Sequence, residues 1–392
     1  MRVVLKWKGF PSDNIRVEIP QVNGACCLAE LIHGSEDGVV FDGAGFGPGG
    51  ALVASRPVEV LSGGWGEWEV LAEALRSGQE SGRPGGLAGW FDYEGNFRFG
   101  VFPAWMRADF PWPDAWVPPG RVDFRPTIDP AGWVRRVQRI RGYIAAGDVY
   151  QANLTHALTA RWSPPPGAFY TRLRAASPAP YSCFLRLGDT AVLSASPECF
   201  LRIDGRRITT KPVKGTRPRG ADAHDDEALA RELVSSAKER AELVMITDLE
   251  RNDLGQVCEY GSVRADILCR LESFAHVHHL VSTVEGVLRQ DVSPLQAVRA
   301  CFPGGSITGA PKRRAREIIA ELEGAPRGIY TGAIGYLGWD GTAVFNIAIR
   351  TLILRDGLAS FGIGAGIVAD SDPLSEYEET LHKAAGLLAA AG

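Results

Sequence analysis

The sequence predicts an antiparallel α+β fold, with sheets flanked by helices, on three observations. Near the C-terminus, residues 329–339, 342–354 and 358–368 carry strand-like patterns separated only by Asp340-Gly341 and by Arg355-Asp356-Gly357, the turn chemistry of a β-meander. A further Asp-Gly pair, Asp204-Gly205, lies inside an apolar stretch and predicts another hairpin. Segments of helical period separate these strand regions, so hairpins and helices alternate along the chain.

Taken in order, the first hundred residues alternate short apolar stretches with glycine-rich turns. The run from Phe41 to Gly50 has glycines near dinucleotide-fingerprint spacing, but no βαβ pattern surrounds it and it reads as a loop. Prolines and tryptophans crowd residues 111–120, which predicts a boundary between an N-terminal part, residues 1–118, and a core, residues 119–392. Trp133, Val137, Ile140 and Ile144 predict a helix over 129–146, and a strand follows from Tyr150 to Leu158. Residues 223–249 read as one long helix or a helix pair with Leu229, Leu233, Ala237, Ala241 and Val244 on one stripe, acidic where the helix dipole favours it. A third helix covers 312–322, and a last one starts at Asp372-Pro373.

With 392 residues, the chain is long enough for a large core. A formal charge of -4 without blocks of one sign gives no reason to expect nucleic acid or a membrane surface as partner. No apolar run reaches the length of a membrane span and the N-terminus lacks a signal-peptide core, so the cytoplasm is the expected location. Cys26, Cys27, Cys183, Cys199, Cys258, Cys269 and Cys301 show no C-x-x-C spacing, which suits reduced thiols. His276, His278 and His279 would point to both sides of a strand, which argues against a three-histidine metal site.

Several side chains could carry chemistry. Lys214 lies between Pro212 and Gly215, on a shaped turn. A hairpin centred on Asp204-Gly205 would set residue 198 opposite residue 211, bringing the carboxylate of Glu198 toward Lys214. Alone, that pairing reads first as a surface ion pair, worth about 0–1 kcal/mol. Glu376 and Glu379 share a helix face at i, i+3, either solvated or functional. Glu242 has Lys238 four residues before it, again compatible with a surface pair. Gly362, Gly364 and Gly366 leave one strand face bare, for close packing or for a ligand. A two-residue turn at Asp356-Gly357 would put Arg350 opposite Ile363. A three-residue loop would put it opposite Gly362, on the bare face, and that register is expected because Arg350 suits a carboxylate. The segment from Gly304 to Lys312 departs from the phosphate-loop pattern at Ala310-Pro311, so ATP is not expected, and Lys312, Arg313, Arg314 and Arg316 read as a solvated helix face.

Ser196-Pro197-Glu198-Cys199-Phe200, then the run from Lys211 to Gly220, then Asp248 to Asp253, then Phe302 to Lys312, then Gly364 to Asp372 follow in one order. From about Val122 to the C-terminus this closely resembles the chorismate-utilising enzymes, and among them component I of the aminodeoxychorismate synthases. The resemblance implies an anthranilate synthase component I-like fold and one Mg²⁺, held directly by Glu242 and Glu379 and, directly or through water, by Glu376. It implies that Ser306, Tyr330, Arg350, Gly364, Gly366 and Lys383 contact chorismate, with Gly215 and Thr216 also among the substrate-binding positions. Lys214 is implied as a nucleophile, Glu198 as general acid, and His279 as a group near the reacting ring.

Relatives that add water have lysine where Gln151 stands, and anthranilate-forming relatives have alanine where Lys214 stands. Gln151 and Lys214 together therefore point to 4-amino-4-deoxychorismate, with ammonia from a separate glutamine amidotransferase subunit, since no G-x-C-x-G elbow is present. The alternatives are component I of an anthranilate synthase, or a non-catalytic subunit that binds chorismate or an amino acid. An amino-acid regulatory pocket is possible within residues 1–118, although the sequence near residues 28–43 diverges too far to assign its lining.

Overall fold

Two ten-stranded antiparallel sheets form the centre of the molecule. The computed structural model describes residues 2–5, 15–18, 31, 34, 36–109, 122–274 and 277–392. Cys26, Cys27, His276 and the boundary expected at 111–120 lie outside the described residues. The helices used below, in chain order, are α1 (Glu69–Glu80), α2 (Pro130–Ala145), α3 (Pro166–Ala176), α4 (Ala223–Ser235), α5 (Ala237–Gly255), α6 (Pro294–Cys301), α7 (Lys312–Glu323) and α8 (Pro373–Ala391).

The first sheet runs Gly309–Ala310, Gln151–Arg161, Leu358–Ile367, Thr351–Arg355, Thr190–Ser196, Tyr181–Leu187, Gly38–Phe41, Ala51–Ser55, Met106–Ala108, with Arg125–Pro126 also on Gln151–Arg161. The second runs Val213–Pro218, Val277–Val287, Arg207–Lys211, Cys199–Asp204, Ala343–Ile347, Ala333–Gly338, Gly86–Phe91, Phe97–Phe102, Glu59–Gly63, with Arg264–Ser273 also on Val277–Val287. Strands from before residue 109 thus extend both sheets.

The sheets pack face to face through Val39, Leu185 and Val192 of the first and Ile334, Tyr336 and Val344 of the second. The outer face of the second is covered by Leu71 of α1, Leu254 of α5 and Val298 of α6 against Phe91, Phe99 and Phe345. The first is covered by Phe169 of α3 and Leu387 of α8, and further along by Trp133 of α2, Ile318 of α7 and Tyr377 of α8. Two strand layers between helices is the arrangement that buries one apolar face of every element.

The helix starts follow their caps. Asp129 accepts from Gly132 N at 2.6 Å and Asp372 from Ser375 N at 2.9 Å, each followed by proline. Residues 223–255 are a helix pair, broken where Ser236 caps α5. The expected stripe fails beyond Leu233. Val244 is exposed, and the buried stripe of α5 is Leu243, Ile246, Thr247, Glu250, Asp253 and Leu254, because the break at Ser236 resets the helical phase.

Two registers differ from expectation. The first hairpin closes with Asp204 opposite Arg207, so its centre is Gly205 and Arg206, with Gly205 at φ 58°. An irregularity then brings Cys199, rather than Glu198, opposite Lys211. In the meander, Arg355 pairs with Leu358 around Asp356 and Gly357, both at positive φ, which is the tight two-residue turn and not the three-residue loop. The segment 342–354 is also two strands. Ala343–Ile347 lies in the second sheet and Thr351–Arg355 in the first, with the crossover at 348–350.

Candidate active site

That crossover positions Arg350. Its φ of 50° breaks the strand, so its direction does not follow from alternation. Among the described residues its guanidinium makes no hydrogen bond or ion pair at contact distance, although burial is deep enough to pull its pKa below the usual arginine range, opposed by the nearby Glu198. A guanidinium largely withdrawn from water with no carboxylate at contact distance is a costly arrangement that an anionic ligand relieves.

Glu198 sits just before Cys199–Asp204, where the hairpin irregularity lets it turn inward. It is 4 % exposed. Burial pushes its carboxyl up to about 7, held back by the Ser306 hydroxyl, by the charges of Lys214 and Arg350, and by Val213 N, which donates to Oε1 at 3.4 Å. Ser306 Oγ faces the carboxyl without a fully formed hydrogen bond. An acid poised near neutrality can give up a proton during turnover.

Lys214 lies on Val213–Pro218, where Gly215 is an extra residue at φ 72° between the pairs Lys214–Leu280 and Thr216–His279. This bulge gives the glycine after Lys214 its use, since it re-aims the lysine side chain. A Cβ built on Gly366 would lie 2.7 Å from Gln151 Nε2 and 3.5 Å from Lys214 Nζ, so amide, amine and bare backbone meet at one point. Gln151 is fully buried with neither end of its amide hydrogen-bonded. At Gly362 a Cβ would strike the Tyr330 ring, and at Gly364 the Leu154 carbonyl, so these two glycines serve packing as well.

His279, on the strand beside Lys214, has Nδ1 3.0 Å from Thr216 Oγ1 and 3.2 Å from the Gly215 carbonyl. A carbonyl only accepts, so Nδ1 carries the proton and Nε2, buried and without a partner, presents a lone pair. Burial, with Arg350 nearby, lowers this histidine to about 4 and keeps it neutral. His278, the next side chain, points away to Ser273 Oγ and Asp226.

Beyond Lys214, α5 and α8 bring three carboxylates together. Burial raises Glu242 against the opposing charges of Lys214 and Lys238, with Glu376 adding to the rise. Burial raises Glu376 too, despite a 2.7 Å hydrogen bond from Ser371 Oγ. At Glu379, burial is outweighed by Lys383, 2.7 Å away, and by Lys238 and Lys214, which hold it below the usual range. Lys383 also donates to the Gly364 carbonyl at 3.1 Å. The three acids do not form a closed cage. Among the described residues, the grouping whose ligand atoms all lie within 4.8 Å of one another is the exposed Asp222, His224 and Asp225. Two carboxyls that burial and mutual repulsion make reluctant to ionise nevertheless suit a hard cation, which would lower both.

Two acids of the neighbourhood, Glu250 and Asp253, were given no role from the sequence. Glu250 is buried, accepts from Thr210 Oγ1 at 2.8 Å, and is held well above the usual range by burial and by Glu198. Asp253 receives Lys312 at 2.5 Å, so Lys312 belongs to this buried network and not to a solvated helix face, while Arg313 is exposed. The signal was there: Glu250 and Asp253 fall on the same helical stripe as Leu243, Ile246 and Leu254.

The family model described as chorismate binding enzyme matches residues 114–389. Over 270 residues, 69% of this chain and 37% of the relative, the sequence is 50% identical to the aminodeoxychorismate synthase of Streptomyces griseus. Over 272 residues, 69% and 53%, it is 48% identical to anthranilate synthase component 1 of Streptomyces coelicolor. The matched segment thus spans about a third to a half of these two relatives. The crystal structure of anthranilate synthase component I from Streptococcus pneumoniae superposes with a TM-score of 0.76 at 29% identity, covering 86% of this chain and 91% of that one.

Proposed function

The chain belongs to the chorismate binding enzymes, and from that premise we propose that it replaces the C4 hydroxyl of chorismate with ammonia to give 4-amino-4-deoxychorismate. The observation that carries this reading is that Lys214 Nζ and the Gln151 amide both border the bare backbone of Gly366, within the field of Glu198. In this reading Arg350, Tyr330, Ser306, Lys383 and the backbone at Gly364 and Gly366 hold the substrate, and Gly215 and Thr216 shape the turn beside it. Glu198 gives its proton to the C4 hydroxyl, which leaves as water while the deprotonated Lys214 amine attacks C2 and both conjugated ring double bonds shift by one position. Ammonia then forms a bond at C4, both double bonds shift back, and the C2–N bond to Lys214 breaks. Glu198 recovers the proton that the new C4 ammonium gives up, so the sum is chorismate plus ammonia giving product plus water. His279 Nε2, neutral and aimed inward, accepts a hydrogen bond from the bound ring's substituents.

Glu242, Glu376 and Glu379 would hold Mg²⁺, which when bound supplies positive charge to a substrate carboxylate. Ammonia would come from a glutamine amidotransferase subunit. In the described residues no helix is long and apolar enough to cross a membrane.

Product analysis tests the reading. With chorismate, Mg²⁺ and ammonium, the product keeps its enolpyruvyl group. The similarity to anthranilate synthases supports a second reading, in which pyruvate is released with a fluorescent ortho-aminobenzoate, and that outcome would replace the first. Glu379→Gln is expected to raise the Mg²⁺ needed for half-maximal activity by on the order of tenfold or more, together with the KM for chorismate. Unchanged activity at limiting Mg²⁺ would remove Glu379 from the metal site.

A further inference from the structure

The strand Gln151–Arg161 has an incomplete outer edge. Gly309–Ala310 pairs with it only at 151 and 152, and Arg125–Pro126 only at 158 and 159. Between them, where Asn153 N reaches the Thr308 carbonyl and Ala157 bonds to Thr127, the Asn153 carbonyl and Thr155 N are taken by one buried ion pair instead of a neighbouring strand. Arg327 Nη2 donates to the Asn153 carbonyl at 2.5 Å, while Thr155 N and Oγ1 donate to Glu323 Oε1 at 2.8 and 2.9 Å.

Arg327 uses every donor it has. Nε and Nη2 reach the two oxygens of Glu323 at 2.8 Å each, Nη1 reaches the Ile307 carbonyl at 2.9 Å and Thr331 Oγ1 at 3.4 Å, and the Tyr93 ring lies 4.5 Å below the guanidinium. The five N–H groups of a guanidinium are thereby satisfied. The sequence makes this possible locally. Gly324 ends α7 in the left-handed conformation and returns the chain so that Arg327 lies back against Glu323, four residues earlier.

Each segment tied to this pair carries a group of the proposed chorismate site. Asn153 is two residues from Gln151, Ile307 follows Ser306, Thr331 follows Tyr330, and Thr155 pairs with Gly364. We propose that Arg327 and Glu323 are positioning residues, which hold these four contacts at one spacing and so set the affinity for chorismate without touching it. The inference rests on the chorismate-site reading and not on which amino product forms.

Arg327→Lys tests it, since lysine keeps the charge opposite Glu323 but cannot also reach the Ile307 and Asn153 carbonyls in a fixed plane. Displacing binding groups by about 1 Å can cost on the order of 100-fold. The expected result by equilibrium dialysis with chorismate and Mg²⁺, in a Lys214→Arg background where no adduct forms, is affinity at least tenfold weaker than with Arg327 intact, with a cooperative thermal transition retained. Glu323→Gln, which keeps the shape and drops the charge, should weaken binding in the same direction. Undiminished affinity in a folded Arg327→Lys protein would overturn the inference. Should that protein not fold, Glu323→Gln decides by the same criterion. A wild-type protein that binds no chorismate would instead count against the site reading itself.

Discussion

Glu198→Gln lowers kcat by on the order of 10²–10⁴-fold, the usual worth of a positioned acid, while chorismate still binds. The amide keeps the shape of the side chain and its contact with Val213 N, but has no proton to give to the departing hydroxyl. In the wild type, burial places this carboxyl near 7, so the acid form, and with it kcat/KM, falls as pH rises through about 7. The variant lacks that limb in its residual activity. The same titration also makes stability depend on pH, in the same direction. The folded-state pKa lies above the ordinary 4.5, so the native protein binds more protons than the unfolded chain between 4.5 and about 7, and stability is lost across that window as pH rises. Integrated, this is on the order of 3 kcal/mol. The glutamine variant should therefore melt higher than wild type above pH 7 and not below pH 4.5. Equal midpoints at pH 8 with full activity would remove Glu198 both as a buried ionisable group and as the acid.

Much of the architecture was legible because the hairpin turns and helix caps are chemically explicit. Asp129-Pro130 and Asp372-Pro373 mark helix starts, and Asp356-Gly357 marks a turn. What failed was phase. The tight Asp356-Gly357 turn is the locally favoured one, yet a looser loop was expected so that Arg350 would reach the glycine face. The chain reaches the interior differently, by a positive φ at Arg350 where it leaves one sheet for the other. Strand alternation cannot express such a step. At Cys199–Asp204 an irregularity likewise moved Glu198 by one position. Glu250 and Lys312 were read past because charged residues are ordinarily exposed; the stripe of α5 marks Glu250 and Asp253 as inward-facing, but nothing in one helix reveals that Asp253 meets a lysine from α7. The carboxylates of the proposed metal site come from α5 and α8, more than a hundred residues apart, and were legible only through family resemblance.

Lys214→Ala should lower formation of the 4-amino product by on the order of 1,000-fold, about 4 kcal/mol of transition-state stabilisation. Its residual turnover should shift toward 2-amino products, because C2 is then open to ammonia. Lys214→Arg keeps the positive charge among Glu198, Glu242 and Glu379, but a guanidinium is a poor nucleophile, so it should be as inactive as alanine. A role as mere counter-charge predicts the opposite for arginine. The most direct test is intact-protein mass spectrometry of the wild type with chorismate and Mg²⁺ in the absence of ammonia, followed by peptide mapping. The proposed chemistry gives an adduct of chorismate less one water on Lys214, absent from Lys214→Arg. No adduct on the wild type, together with near-normal 4-amino product from the arginine variant, would contradict it.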